Sequence, residues 1–226
     1  MGTLSIVATP IGNLEDITLR ALRTLKECDV IYAEDTRVIS KLLAKYEIQK
    51  PLQRLDAATE LKKADEIMTR LEAGERVAFV SDAGTPGISD PGTRLVAYVR
   101  EHLPAAIIEA IPGASALTAA LSIAGIDTSE FLFLGFLPHK KGRQTALKKI
   151  AESGITSVLY ESPHRIMKLL KELEALHASR VIIARELTKI HEEVVSGTPG
   201  ELLAHFSDHS DTVRGEFVVI VVPMQT

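Results

Sequence analysis

The chain has 226 residues, of which 46% are hydrophobic and 25% are charged, with a formal net charge of -4. This composition is typical of a globular protein and excludes intrinsic disorder, collagen-like repetition and a pure coiled coil. The charge gives no global signal for a polyanionic partner. Since Cys28 is the only cysteine, an intrachain disulfide and a cysteine-rich zinc site are also excluded.

Short runs rich in β-branched residues alternate with helical patterns in the first half of the chain. Leu19, Leu22 and Leu25 recur three residues apart, so the first helix should bury one leucine face, with Asp16 or Thr18 as its N-cap. This alternation predicts a mainly parallel α/β sheet. The strands are predicted at 4–9, 29–33, 76–81 and 106–111, and two further helices at 38–46 and 60–72.

The alternation restarts after Pro112-Gly113. Helices are predicted at 115–123, 144–151 and 165–176, and strands at 131–135, 156–160 and 180–184. No long helix follows the strands predicted at 193–196 and 215–222, which indicates antiparallel or mixed pairing there. We therefore expect an α/β protein of two α/β domains, residues 1–112 and 113–226, packed around a cleft.

Residues 1–13 contain no positive charge and no apolar run of signal-peptide length. The longest apolar stretches elsewhere are about the length of a strand. We therefore expect a cytoplasmic protein without a membrane partner.

Two loops that follow predicted strands carry unusual backbone chemistry, and such loops collect function in open α/β sheets. Segment 8–14 lacks the Gly-x-Gly-x-x-Gly fingerprint, which disfavours a dinucleotide-binding enzyme. Segment 81–92 is rich in Gly and Pro, but Thr93 and Arg94 stand where a P-loop needs Lys and Ser or Thr. This segment either brings the main chain close to a ligand, with Asp82 accepting hydrogen bonds, or is a long structural turn.

Two further loops have a functional and a structural interpretation. Segment 111–116 opens a helix, so its amides either hold a carboxylate or are capped by Ser115. Segment 32–37 presents Glu34, Asp35 and Arg37, either as an acidic site or as a solvated turn that caps the next helix.

Segment 131–151 contains five Lys or Arg residues and no acid. It is either a solvated helix face or a phosphate-binding patch in which Lys140, Lys141 and Arg143 contact RNA. Aromatic residues make up 4% of the chain, which argues against extensive base stacking.

Seven motifs occur in a specific order: VATPIGNL at 7–14, AEDTR at 33–37, VSDAGTPGISDPG at 80–92, PGASA at 112–116, GFLP at 135–138, YESPHR at 160–165 and ARELTK at 184–189. Their combination resembles the ribosomal RNA small subunit methyltransferase I family, a branch of the tetrapyrrole methylase superfamily, over essentially the whole chain. Family members usually carry a further C-terminal segment, and we expect this chain to lack it.

The resemblance implies 2'-O-methylation of a cytidine ribose in the decoding region of 16S rRNA, with S-adenosylmethionine as methyl donor. It also implies the two-domain tetrapyrrole methylase fold with the donor in the interdomain cleft, and a homodimer. By matching motif, the residues expected to bind the donor are Pro10, Asp82, Gly84, Thr85, Ser115, Ala116, Leu137, Tyr160, Glu161, Glu186 and Gly215.

Methyl transfer from a sulfonium requires that the acceptor oxygen be aligned and lose its proton, and it needs no metal. We expect the acceptor side to be formed by Glu34, Asp35, Arg37, His164 and Arg165. His164 has the alternative of packing or hydrogen-bonding at a helix start. Arg165 either clamps a phosphate or pairs with a surface acid.

Two other functions fit parts of the pattern. A C-methyltransferase acting on a tetrapyrrole precursor is disfavoured by the basic segment and by the form of the first loop. A non-catalytic RNA-binding module would not require a deep pocket built from four loops. We therefore expect 16S rRNA, within the assembled small ribosomal subunit, as the partner.

Overall fold

The computed structural model describes residues 1–223 and divides into two compact units, Met1–Ser115 and Ala116–Thr226. The division follows Ser115, at the start of a helix, whereas the domain boundary predicted after residue 112 stays a prediction. The predicted second domain also includes Met224 to Thr226, which lie outside the described residues.

The first unit is built on a five-stranded parallel sheet with the strand order β3-β2-β4-β1-β5. Buried hydrophobic residues line both faces of the sheet, as is typical when helices cover the two sides. The predicted parallel α/β sheet is confirmed. The elements are β1 (Thr3–Val7), α1 (Leu19–Glu27), β2 (Val30–Ala33), α2 (Thr36–Lys45), β3 (Leu52–Arg54), α3 (Glu60–Glu72), β4 (Arg76–Val80), α4 (Thr93–His102) and β5 (Ile107–Ile111).

Helix α1 begins after Thr18, whose side chain accepts a hydrogen bond from the Ala21 amide at 3.0 Å. Leu25 and Ala21 are fully buried, but Leu19 is 85% exposed, so the predicted three-leucine face is wrong at Leu19. Residues six apart in a helix point about 120° away from each other, whereas a four-residue spacing returns to the same face. The buried face therefore follows the spacing from Ala21 to Leu25.

Helix α4 was not predicted, although its Leu95 and Val99 are four residues apart and fully buried. Its first amides are satisfied by a distant side chain. Glu60, the first residue of α3, is 2% exposed, and its Oε1 accepts hydrogen bonds from the amides of Gly92 at 3.0 Å and Leu95 at 2.8 Å. A helix start that is capped across the fold has no local capping signal in the sequence.

The second unit is built on a five-stranded mixed sheet with the order β6-β7-β10-β8-β9. Strands β6 and β7 are parallel, and β10 runs antiparallel to both β7 and β8, as does β9 to β8. The mixed pairing predicted for the last two strands is confirmed. The elements are α5 (Ala116–Ile123), β6 (Phe131–Phe136), α6 (Arg143–Glu152), β7 (Thr156–Glu161), α7 (Ile166–Ala175), β8 (Arg180–Arg185), β9 (Glu193–Gly197), α8 (Pro199–Asp208) and β10 (Phe217–Val222).

The expectation that no long helix follows the strand at 193–196 is wrong, because the ten-residue α8 begins directly after β9. Its sequence carries a start signal. The Thr198 hydroxyl accepts from the Glu201 amide, the Glu201 carboxylate accepts from the Thr198 amide, and Pro199 occupies the first turn. Phe206 of this helix is buried against Phe217 of β10, with ring centroids 5.8 Å apart. Within residues 1–223, no helix is long and apolar enough to cross a membrane.

We predict that Glu60→Ala lowers the free energy of unfolding by about 1–3 kcal/mol, because it leaves the buried amides of Gly92 and Leu95 without an acceptor. Glu60→Gln retains a side-chain oxygen and should recover part of this loss. Urea denaturation measures both, with Glu72→Ala at the exposed end of α3 as the control. Equal stabilities of the Glu60→Ala and Glu72→Ala variants would contradict the assignment.

Candidate functional site

Three loops of the first unit are joined at the carboxyl edge of its parallel sheet. Thr9, after β1, and Gly84, after β4, exchange two backbone hydrogen bonds of 2.9 and 3.0 Å. The Thr85 hydroxyl donates to the carbonyl oxygen of Ala114, after β5, at 3.2 Å. The predicted loops 8–14, 81–92 and 111–116 are thus brought together by direct contacts.

Small residues allow these loops to approach one another closely. A Cβ atom placed on Gly113 would lie 3.0 Å from the Cβ of Ala8, closer than side chains normally pack. Pro10, two residues after Ala8, is buried, whereas Gly113 is exposed. The main chain at Gly113 is therefore exposed without a side chain of its own in front of it.

A fourth loop, after β2, is attached to the same edge through a carboxylate. The Asp82 Oδ1 accepts a hydrogen bond from the Asp35 amide at 2.8 Å. Burial, followed by the charge of Asp82, raises the pKa of Glu34, and burial is also the largest cause that raises the pKa of Asp82. The edge therefore holds two neighbouring carboxyl groups that both bind protons more readily than they do in water.

Asp35 has a structural function in this loop. It is the N-cap of α2, it accepts from the Arg37 amide at 2.9 Å, and its carboxylate pairs with the Arg37 guanidinium. These contacts hold the pKa of Asp35 at about 2. The interpretation of this segment as a capping turn is confirmed for Asp35, while the Arg37 side chain remains largely exposed to solvent.

In the second unit, four predicted residues lie near one edge of the mixed sheet. Strands β6, β7 and β8 end at the same edge, because β10 runs antiparallel to both β7 and β8. Leu137 follows β6 and is 2% exposed, and Tyr160 lies at the end of β7. The Tyr160 hydroxyl accepts a hydrogen bond from the Leu117 amide at 3.1 Å, and its ring packs edge-on against Phe133.

Glu186 and Gly215 meet at this edge. Glu186 follows β8, and Gly215 comes just before β10. A Cβ atom on Gly215 would lie 1.7 Å from Glu186 Oε1, so the Glu186 side chain would have to move. Gly215 also has a φ of +74°, in the left-handed region that favours glycine. Glu186 also pairs with Lys189 at 2.7 Å.

Three predicted site residues belong to a buried ionic cluster. Glu161 is fully buried, and its Oε1 accepts from Arg165 Nε at 2.7 Å. The Arg143 side chain is 4% exposed and binds Glu172 of α7, with Nη2 and Oε2 2.6 Å apart. The prediction that Arg143 contacts RNA is therefore wrong, because its charge is buried and paired. Arg165 pairs with Glu161, a fully buried acid and not the surface acid of its alternative interpretation. Lys140, Lys141 and His164 are exposed.

Among residues 1–223, no three side chains of His, Cys, Asp or Glu are grouped so that they could hold a metal ion. That the reaction needs no metal stays a prediction.

The sequence profile of the tetrapyrrole (corrin/porphyrin) methylases matches residues 3–203. The chain is 45% identical to ribosomal RNA small subunit methyltransferase I of Thermotoga maritima, covering 98% of both chains. It is 46% identical to the Neisseria meningitidis serogroup B protein of the same name, covering 99% of this chain and 77% of that one. The chain belongs to the ribosomal RNA small subunit methyltransferase I family. The resemblance on which the sequence analysis relied is thus confirmed.

A solved structure supports the fold within this family assignment. The methyltransferase CobJ shares 19% identity with the chain, with a TM-score of 0.73 over 99% of this chain and 95% of that chain. The tetrapyrrole methylase fold is thereby confirmed. The chain covers 98% of the Thermotoga maritima protein and 77% of the Neisseria meningitidis protein, so relatives of both lengths occur. The expected lack of a C-terminal segment stays a prediction.

We predict that Glu34→Gln makes the protein more stable than the wild type at pH 7. Because the pKa of Glu34 is raised from 4.5 in the folded state, stability is lost as the pH rises through the range in which the group ionises. Below pH 4 both side chains are largely uncharged, so the difference should vanish. Urea denaturation at pH 7 and pH 3.5 measures it, with Glu101→Gln at the far end of α4 as the control. The prediction is refuted if Glu34→Gln is less stable than the wild type at pH 7 but not at pH 3.5.

Proposed function

We propose that this protein, a methyltransferase by family, transfers the methyl group of S-adenosylmethionine to the 2'-hydroxyl of a cytidine ribose in the decoding region of 16S rRNA. The observation that carries the proposal is the identity of 45% with the Thermotoga maritima protein over almost the full length of both chains. The fold alone would fit any methylase of the superfamily. We further propose that the acceptor is the assembled small subunit, and that the enzyme is a cytoplasmic homodimer.

The edge of the first unit fits the methionine end of the donor, which carries an ammonium and a carboxylate group. Asp82 presents an exposed carboxylate suited to the ammonium group, and Thr85 adds a hydroxyl beside it. Gly113 leaves its main chain exposed to a ligand. Gly84 is buried and bonds Thr9 through its amide and its carbonyl, so it holds the loops together. We propose that Pro10, Asp82, Gly84, Thr85, Ser115 and Ala116 bind this part of the donor.

The edge of the second unit offers apolar surface suited to the adenosine part. The Tyr160 ring packs against the rings of Phe133 and Phe136. Leu137, in the loop after β6, is buried. Purine sites are commonly lined by such groups together with a few polar ones. We propose that Leu137, Tyr160, Glu186 and Gly215 contact the adenosine, whereas the buried side chain of Glu161 supports the loop from behind.

When bound, the donor supplies a methyl group on a positively charged sulfur, which is electrophilic without a metal. The residues of the chain must then align the ribose hydroxyl and take its proton. We propose Glu34 as the proton acceptor, because burial and Asp82 raise its proton affinity. Arg37, whose side chain is exposed, is proposed to hold a neighbouring phosphate, and His164 to contact the RNA from the second unit.

The exposed lysines at the start of the basic segment are proposed to bind RNA phosphates. Lys140 and Lys141 lie in the turn before α6, and both are exposed. Phosphate contacts of this kind carry little sequence information and weaken steeply with salt. The choice of nucleotide is therefore proposed to depend on the shape of the assembled subunit.

We expect methyl transfer from labelled donor to a single cytidine ribose when the protein is incubated with undermethylated small subunits. Free 16S rRNA and a tetrapyrrole precursor are the comparison acceptors, and nuclease digestion followed by mass spectrometry locates the methyl group. Transfer to the tetrapyrrole alone would replace the proposal with C-methylation. Transfer to none of the three would exclude the proposed enzyme activity.

We predict that Asp82→Asn weakens donor binding about tenfold, because a neutral amide loses the charge-assisted hydrogen bond to the ammonium group. The amide oxygen can still accept from the Asp35 amide, so the loop should keep its structure. Calorimetry measures the affinity, with Glu101→Gln as a control that removes an acid from the far end of α4. Equal affinities for both variants would remove Asp82 from the donor site.

A further inference from the structure

Four charged side chains of the second unit form a buried cluster, which we call the ionic clamp: Arg143, Glu161, Arg165 and Glu172. They come from the start of α6, the end of β7, the residue before α7 and the middle of α7. Arg143 joins the two acids, with Glu172 at 2.6 Å and Glu161 at 3.7 Å. Glu161 in turn pairs with Arg165 at 2.7 Å. Two positive and two negative charges thus balance within the clamp, and the exposed Lys168 lies 3.9 Å from Glu172 at its outer side.

The clamp also binds the main chain of two loops. Arg165 Nη1 donates to the Leu137 carbonyl at 2.9 Å, and Arg143 Nη1 donates to the Pro138 carbonyl at 3.4 Å. Glu161 Oε1 accepts from the Ser162 amide at 2.9 Å. The segment 137–143 is therefore held at its first residues through their carbonyls and at its last residue through the Arg143 side chain.

Stability alone does not account for such a cluster. Removing charges from water costs several kcal/mol per ion, and well-packed apolar residues are often as stable or more stable in the same place. Glu161 Oε2 is buried without a hydrogen-bond partner, which adds to this cost. Buried ionic groups have their best-supported use in selecting one arrangement of the chain.

We propose that the ionic clamp is a positioning device that holds the segment 137–143 in one conformation, so that Lys140 and Lys141 present their charges together to RNA phosphates. Both lysines lie between the two anchored ends and are exposed. Fixing the loop before binding reduces the ordering cost that RNA would otherwise meet. This inference rests on the proposed function, since it takes RNA as the ligand of the two lysines.

The test combines one clamp variant with one lysine variant. Glu172→Gln removes the charge of the less buried acid and keeps its shape, and Glu174→Gln makes the same change at an exposed position of α7. Lys140→Ala/Lys141→Ala removes the proposed phosphate contacts. Lys26→Ala/Lys45→Ala removes two exposed lysines from the carboxyl ends of α1 and α2, at the sheet edge opposite the candidate loops.

Three quantities are measured for each variant: affinity for a 16S rRNA fragment over a salt series, donor affinity, and hydrogen exchange of the Arg143 and Ala146 amides, which donate to the carbonyls of Lys140 and Gly142. We expect Glu172→Gln to speed exchange at these two amides and to weaken RNA binding severalfold. Donor affinity should change less than RNA affinity, because Arg165 still donates to the Leu137 carbonyl. Lys140→Ala/Lys141→Ala removes two phosphate contacts, so the negative slope of log K against log salt should become shallower by about 1.4 for a single strand. In the combined variant, the clamp and lysine effects on RNA binding should not add.

Each other result overturns the inference at a defined step. Unchanged exchange in Glu172→Gln would show that the clamp does not hold the loop. If Glu172→Gln speeds exchange but its loss of RNA affinity adds fully to that of the lysine variant, the clamp does not act through the two lysines. If the lysine variant binds RNA like the wild type, the lysines have no phosphate contacts, and the transfer assay then decides the proposed function independently.

Discussion

The candidate site of the first unit depends on one constraint, the common direction of the five strands of its sheet. Because all pairs are parallel, the loops after β1, β2, β4 and β5 leave from the same edge. The two hydrogen bonds between Thr9 and Gly84 then join loops that are far apart in the chain. Once these two loops are joined, the contact from Thr85 to Ala114 adds the third. Backbone pairing thus joins the first two loops, while the Thr85 and Asp82 side chains attach the other two.

The charges at this edge are arranged at some expense of stability. Asp82 is used to hold the Asp35 amide, which fixes the acidic loop close enough for its charge to act on Glu34. A chain selected for stability alone would separate these carboxyl groups or neutralise one of them. Asp35 shows the opposite arrangement, since its cap position and Arg37 favour its ionised form. Two adjacent acids are thereby given different proton affinities, which is the usual basis for assigning them different functions.

Most elements with local signals were predicted from the sequence, although α8 was missed despite its local capping box. The signal for α4 is distant. The strands and the helix after Thr18 follow from alternation and a neighbouring cap. Helix α4 depends on Glu60, which lies 32 residues before Gly92, so a local reading of segment 93–102 finds no cap. Arg143 was misassigned for the same reason. Charge counting over 131–151 registers five cations, but the partner of Arg143 is Glu172, 29 residues away on another helix.

This correction changes what the basic segment can do. Of its five cations, Arg143 is neutralised by buried acids, and Lys148 lies 3.6 Å from Glu152 on the surface of α6. The exposed charge before the helix then comes from Lys140 and Lys141, and Lys149 on the helix is the remaining exposed cation; these are too few for tight electrostatic binding in a chain of net charge -4. If each lysine contributes one phosphate contact, the arrangement of the two in space matters more than their number. A rigid support beneath a small basic turn is therefore the physical alternative to a larger basic patch.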